Sequence, residues 1–492
     1  MPIVPRLWIP SMNQGVAMSN GDRPNLIRGL DVIARAVVAA VSTRTRVLRD
    51  RRPRRHRRNR VLCVAIAALC CIGPTGAAAG TLPIARADES QFLEFYTPPD
   101  PLPPGLPGDL IRTEPQRIVL EPSGQLGAYV ATGTRIMYRG TDSRGNPVAV
   151  TGTYFEPDNP WPGKGPRPLI SFATGPYGLG EQCAPSRMFS QGIHFSQGFD
   201  LMIGWEEGFV ATMVARGFAV VVTDGVGMGV HQAAAPQFLN RVAAGTALLD
   251  AARAAMKLPG TSLDPHGPVA FWGWSSGGQA SASAAELAPV YAPDLNVVGA
   301  WSGAPPADLQ LLLPYVDGSI LAGSVGPVLH GVTAAYPETE DALRSVLTDR
   351  GLHMYDWSGF ICSVQLIADF AFRHVQFWFN TDPFALTASD PLKGILDAQR
   401  LGSLKPNAPV FIDHNRYDPF IPWQGGRQLA VDWCDKGADV QFWTNEQPPF
   451  LNKTATNHFL LYFVDGERGM QWIADRFNGL PTTPNCDEAR NE

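Results

Sequence analysis

A serine ringed by glycines gives this sequence its clearest chemical signal. Val269–Trp272 is an apolar run, Gly273 closes it, Ser275 follows, and Gly277 and Gly278 lead into the Ala-rich run 280–287. Gly-x-Ser-x-Gly between a strand and a helix describes a tight turn that lifts the serine hydroxyl clear of the backbone. A Cβ at 273 or 277 would collide with the neighbouring strand or helix, and the turn strains the serine backbone. The hydroxyl then stands at a helix N-terminus, where the dipole favours developing negative charge. The same five residues also occur in inert βα loops, and it is the flanking strand and helix that favour a nucleophile.

A serine hydroxyl is a weak nucleophile near neutral pH. It needs a base to take its proton and a carboxylate to hold that base in the correct tautomer. A strand–turn–helix nucleophile of this kind is followed along the chain by an acid and then a histidine. Past residue 389 two histidines remain, His414 and His458. His414 ends a strand-like run, whereas His458 lies beyond the last strand, in what reads as a loop before the apolar run 459–463, so His458 is the expected base. Asp418 is the expected acid. It lies in a loop closed by Pro419 and Pro422, while Asp413 still belongs to the strand end and suits turn capping; Asp432 is the other alternative. An oxyanion needs two backbone N–H donors. Ser276 should supply one. The Gly-rich stretch 174–180 should supply the other from Gly175, Tyr177 or Gly178, since Pro176 has no N–H.

These side chains must be carried by a sheet. Strand-like runs at 128–138 and 147–155 are joined by a turn at 143–146 and read as an antiparallel hairpin. Further strands are expected at 168–173, 214–222, 267–272, 296–301, 408–412 and 439–443. Helices are expected at 240–256, 279–287, 425–436 and 469–477. Such alternation predicts an α/β fold whose mostly parallel sheet is covered on both faces. Between 305 and 389 the strands stop. Helical segments at 307–315, 327–335, 338–350 and 362–379 read as an inserted cap, so the core is expected at 128–304 and 390–486. The cap aromatics Trp357, Phe360, Phe370, Phe372, Phe377, Trp378 and Phe379 suit internal packing for the most part, with a few forming an apolar acyl-binding surface.

The chain has 492 residues and net charge −5, yet ten arginines crowd residues 44–60. Without that block the remainder is clearly acidic, which argues against a nucleic-acid partner. The Arg-rich run precedes an apolar stretch at 61–73 too short to span a membrane, then Ala85-Arg86-Ala87, a cleavage-site pattern. Residues 1–87 therefore read as a basic leader with a signal peptide, and 88–127 as an extended, Pro-rich arm. The expected location is outside the cell or in its envelope. Cys63, Cys70 and Cys71 fall in the leader; Cys183, Cys362, Cys434 and Cys486 remain. Four cysteines in an exported chain suggest two disulfides in one of three pairings, and no spacing suits a metal.

Three segments resemble the secretory lipase family of fungi and actinobacteria: Gly178–Ser186 with its Cys183-Ala184-Pro185-Ser186 ending, Gly273–Gly278, and His414–Pro422. The resemblance extends over roughly residues 90–486. The resemblance implies an α/β-hydrolase core with a helical cap, Ser275, Asp418 and His458 as a triad, and the pairings Cys183–Cys362 and Cys434–Cys486. It also implies a lipid or other acyl ester as substrate, no cofactor or metal, and a cap that acts as a lid with transient contact to a lipid surface. Trp274 stands where tyrosine is usual and is expected to narrow the acyl site. The competing readings are a peptidase or amidase of the same fold, with Glu181 receiving an amine terminus, and a catalytically silent envelope-binding protein.

Overall fold

Strands β4 (Leu169–Ala173) and β7 (Ala219–Thr223) are buried along their whole length, as uninterrupted apolar runs require. In the computed structural model, which describes residues 89–120, 130–196, 200–231 and 235–492, they lie near the middle of a nine-stranded sheet. Its order is β1 (Leu110–Gln116), β2 (Ala131–Thr141), β3 (Pro147–Pro157), β7, β4, β8 (Pro268–Trp274), β9 (Asn296–Gly303), β10 (Val410–Asn415) and β11 (Val440–Asn445). The contacts β1–β2, β2–β3 and β3–β7 are antiparallel, and all the others are parallel. A separate small hairpin pairs β5 (Ile193–Ser196) with β6 (Asp200–Ile203). The leader, its cysteines and its cleavage pattern lie outside the described residues.

The pleat splits the core in two. Ile136, Leu169, Val221, Phe271 and Ile412 face one layer of helices: α4 (Arg241–Lys257), α5 (Ser276–Tyr291) and α9 (Trp423–Asp435). Phe172, Val222, Trp272, Trp301 and Phe411 face α3 (Glu207–Ala215) and α10 (Thr456–Phe477). Asn240 starts α4, its side chain accepting the N–H groups of Val242 and Ala243. Small residues then let α4 and α5 close together; a Cβ on Gly245 would lie 2.6 Å from Ser283 Oγ.

Several expectations need correction. The arm 88–127 contains helix α1 (Glu89–Tyr96) and edge strand β1, whose charged residues and Pro115 hid it. The strand expected at 214–222 starts only at Ala219, because α3 runs to Ala215 and Gly217 turns the chain at φ +88°. In the insertion between β9 and β10, the helix expected at 338–350 is broken: Thr348 leaves the helical path and caps α7 (Asp349–Ser358) through the Gly351 N–H. The helix expected at 362–379 stops as α8 (Ser363–Phe370), and Phe372 has φ +61°. With α6 (Val325–Ala335) these segments enclose their own core, built from Leu329, Leu347, Met354, Phe370 and Trp378 among others.

Disulfides join Cys183 to Cys362 and Cys434 to Cys486. The first spans 179 residues and ties the segment before α2 (Pro185–Gln191) to the start of α8. Closing so long a loop removes much unfolded-state entropy. Replacing both Cys183 and Cys362 by alanine should therefore cost about 2–5 kcal/mol of unfolding free energy, read from urea denaturation against the parent. An unchanged midpoint and slope would show that the bond adds no stability.

Candidate active site

Ser275 sits between β8 and α5 with φ 59° and ψ −124°. Few L-residues adopt that geometry, and it persists only where surrounding contacts impose it. The contacts are backbone on backbone. A Cβ on Gly273 would lie 2.0 Å from Gly277 O, one on Gly277 would lie 2.2 Å from Ala173 O, and one on Gly278 would lie 2.2 Å from Gly303 O. The Ser275 N–H donates to Gly303 O at 2.9 Å, and Ser275 O accepts the Gln279 N–H at 3.0 Å. The side chain, 7% exposed, borders a cavity between the sheet and the helical insertion.

Asp418 and His458 meet. His458 Nδ1 lies 2.6 Å from Asp418 Oδ2. Asp418 Oδ1 accepts the N–H groups of Phe420 (2.9 Å) and Ile421 (3.0 Å). Burial alone would raise this carboxyl's pKa, but the His458 ring, then the His414 ring and the Ile421 N–H, hold it below the usual carboxylate range. The acid loop has its own scaffold. Asn415 Oδ1 accepts the Tyr417 N–H at 2.9 Å, and Asn415 Nδ2 donates to Asn445 O at 2.8 Å.

His458 does not sit in a loop before the apolar run 459–463. It lies in the first turn of α10, one unbroken helix from Thr456 to Phe477. The apolar run at 459–463 misled because five residues are too few to tell the two periods apart. Here Leu461 and Tyr462 face inward and Leu460 and Phe463 outward. The His458 ring packs between Trp274 and Phe420, with ring centroids 5.8 and 5.7 Å away. Among the described residues His458 is hydrogen-bonded to Asp418 and not to Ser275; contacts of the second kind often tighten only when substrate is bound.

The alternatives fall elsewhere. His414 is fully buried, its pKa lowered to about 4 by desolvation, and its Nε2–H donates to Ile421 O at 3.0 Å, bracing the acid loop as a neutral ring. Asp413 is buried beside Asp465 and Arg468, and burial followed by the Asp465 charge raises its pKa well above normal. Asp432 pairs with Arg400 near the surface.

Of the proposed oxyanion donors, Gly175 needs correction. Its N–H donates to Glu206 Oε2 at 2.9 Å and is occupied. Ser276 opens α5 and lines the same cavity as Ser275. Tyr177 and Gly178 line a second cavity beside Ser276. Gly178 also pairs with Cys362, so this loop is joined to the insertion by backbone as well as by the disulfide. The Cys183–Ser186 segment is held from below: Ser186 N–H donates to Asp224 Oδ1 at 2.6 Å, and Ser186 Oγ to Asp224 Oδ2. Glu206 escaped the sequence reading, because Glu206-Glu207 at a helix start looks like ordinary pairing with the helix dipole.

The cavity that Ser275 borders is open to solvent on one side. Its walls are aliphatic, with Leu309, Val316, Val325, Val328 and Leu329 prominent. The cap aromatics contribute little: only Phe379 reaches the cavity, Phe370 and Trp378 fill the cap core, and Trp357, Phe360, Phe372 and Phe377 are exposed. Trp274 does not narrow the cavity either. It is buried behind Ser275, stacked on Tyr462 with ring centroids 5.0 Å apart. Glu181 lines neither cavity and lies 3.1 Å from His231 Nδ1.

This arrangement sets a strained serine at the edge of an aliphatic cavity and joins a buried histidine to a buried carboxyl group. Comparison with known proteins shows the family and the fold. The profile of the secretory lipase family matches residues 194–485. Lipase 2 of Candida albicans is 28% identical over 409 residues, covering 80% of this chain and 82% of its own. A Mycobacterium tuberculosis protein named "probable inactive lipase" is 26% identical over 392 residues, covering 79% and 82%. The closed-state crystal structure of Candida antarctica lipase A superposes with a TM-score of 0.66 at 23% identity, covering 79% of this chain and 87% of that one.

Proposed function

The chain belongs to the secretory lipase family, and on that premise we propose that it is an exported serine hydrolase cleaving lipid acyl esters through an acyl-enzyme. The fold is that of an α/β-hydrolase, and the enzyme class is ester hydrolase. The observation that carries the finer reading is the 2.6 Å Asp418–His458 contact, next to a strained serine that opens on an aliphatic cavity.

In this mechanism Asp418 keeps the His458 proton on Nδ1 and leaves Nε2 to take the Ser275 proton as the hydroxyl attacks the ester carbonyl. The tetrahedral oxyanion is met by the Ser276 N–H and a second amide from the loop 176–178, at the positive end of α5. His458 then protonates the departing alcohol, and water repeats the sequence on the acyl-enzyme. The acyl chain lies in the aliphatic cavity under residues 305–389, which act as a lid at a lipid surface.

The test is hydrolysis of p-nitrophenyl esters from C2 to C16, paired with fluorophosphonate labelling. Turnover with labelling at Ser275 supports the reading. No turnover on any ester and no labelling would overturn it and favour a catalytically silent protein. Val328→Phe, which takes space from the cap wall, should lower kcat/KM for C12–C16 by about 10–100-fold while C2–C4 stay within about twofold. A uniform loss at all lengths would move the acyl chain out of this cavity.

A further inference from the structure

Glu206 is fully buried on the turn ahead of α3, far in sequence from Ser275, Asp418 and His458, yet its carboxyl reaches two of the elements that form the site. Oε2 accepts the Gly175 N–H at 2.9 Å, in the loop that faces Ser276. Oε1 is hydrogen-bonded to the Tyr462 hydroxyl at 3.1 Å, and Tyr462 lies one turn beyond His458 on α10. The Tyr462 oxygen in turn accepts Trp272 Nε1–H from β8 at 3.1 Å. Trp205 closes the same corner. A Cβ on Gly175 would be 2.9 Å from Trp205 Cζ2, and the Trp205 ring stands edge-on to Tyr462, with centroids 5.5 Å apart.

We propose that Glu206 is a positioning residue: its carboxyl clamps the oxyanion loop to the histidine helix. The proposal rests on the acyl-transfer reading above. One amide of the loop is given up to the clamp so that its neighbours are fixed relative to Ser276. Preorganised donors stabilise a developing oxyanion because they need not be reoriented during the reaction.

The clamp also has a charge requirement, set by what surrounds the carboxyl. Desolvation pushes its pKa up to about 8, against the opposing pull of the Gly175 amide and the Tyr462 and Tyr177 hydroxyls. Glu207, next in the chain, adds a further acid on the side of Tyr177. Near neutral pH the clamp is therefore mostly an uncharged acid, its carbonyl oxygen taking the Gly175 N–H and its O–H turned toward the Tyr462 oxygen. Above about pH 8 it becomes an anion beside the loop that must receive a second negative charge in the transition state, which raises the barrier. Because the folded-state pKa is raised, stability is highest while the acid is protonated in both states. It falls as pH climbs from the unfolded value of about 4.3 toward the folded one, and then levels.

Glu206→Gln keeps the shape, accepts from Gly175 and donates to Tyr462, and cannot ionise. It should hold kcat within about threefold of wild type at pH 7 and abolish the loss of activity above pH 8. Its melting temperature should gain on wild type as pH rises from 5 to 8. Glu206→Ala should lower kcat by about 10–100-fold with KM within threefold, less than outright loss of a donor. Hydrogen exchange of the 173–180 peptide should be slow in wild type and Glu206→Gln and faster in Glu206→Ala. Full protection and kcat within threefold in Glu206→Ala would overturn the clamp. An alkaline limb and a melting profile identical to wild type in Glu206→Gln would overturn the charge requirement. If wild type is inert on every ester, the hydrolase reading fails, while the exchange and melting comparisons still decide the clamp. If Glu206→Ala does not fold, Glu206→Gln decides it through its pH dependence.

Discussion

Ser275→Ala is expected to lower kcat on a short-chain p-nitrophenyl ester by about four to six orders of magnitude, leaving only what binding and oxyanion donors supply without a nucleophile. The substitution is chemically narrow. Alanine keeps the Cβ, so it meets the same strain at φ 59° as serine, and the contacts of Gly273, Gly277 and Gly278 that impose the turn are untouched. The aliphatic cavity is also unchanged, so KM should stay within a few-fold and the melting temperature close to wild type. Steady-state kinetics on purified protein, with fluorophosphonate labelling in parallel, read both quantities. Residual activity within tenfold of wild type, at unchanged fold, would mean that another group attacks the ester.

Asp418→Asn should cost about three to four orders of magnitude in kcat through the proton rather than the shape. The asparagine Oδ1 keeps the N–H groups of Phe420 and Ile421, so the loop holds. Its amide then presents N–H to His458 Nδ1, where the aspartate accepted one. The ring must carry its proton on Nε2, and the lone pair that would take the Ser275 proton is lost. Asp413→Asn is the control. That carboxyl is already driven toward its neutral form by burial, so an amide changes little and activity should stay within about tenfold. Equal losses in the two variants would remove the distinction drawn between them. A stability signature accompanies the first. The Asp418 pKa is depressed in the folded state, so its stabilising contribution is present above the unfolded value, about 3.9, and is lost as pH falls toward the folded one. Asp418→Asn removes that acid-side loss, visible as a flatter melting profile between about pH 5 and 2.

What could be read beforehand was what local chemistry dictates. The Ser275 turn is written in five consecutive residues whose sizes are constrained by backbone contact, and the central strands are written as apolar runs buried on both faces. Asp418 was separable from Asp413 because a residue still within a strand is bound to the sheet. The failures share a different cause. β1 is an edge strand, exposed enough to tolerate Arg112, Glu114 and Pro115, and so carries no apolar signature. Apolar residues on both the inner and outer faces of α10 erased its helical period over 459–463. Packing accounts for only Phe370, Trp378 and Phe379 among the seven cap aromatics, since which of them turn inward depends on helix ends at Thr348 and Phe370 that composition does not mark. The Glu206–Gly175 bond joins residues 31 apart through a tertiary contact, and no local pattern announces it.

The two disulfides also partition the site in a way that the fold alone does not. Bonds 183–362 and 434–486 make two separate covalent rings. Ser275 belongs to the first ring, His458 to the second, and Asp418 to the single strand of chain between them. A protease cut inside either ring leaves one covalently continuous molecule, with nucleophile, acid and base still connected. A cut anywhere in 363–433 parts the serine from the histidine, and only packing then holds them together. Where proteases are present, the segment carrying Asp418 is the one stretch whose hydrolysis divides the proposed triad.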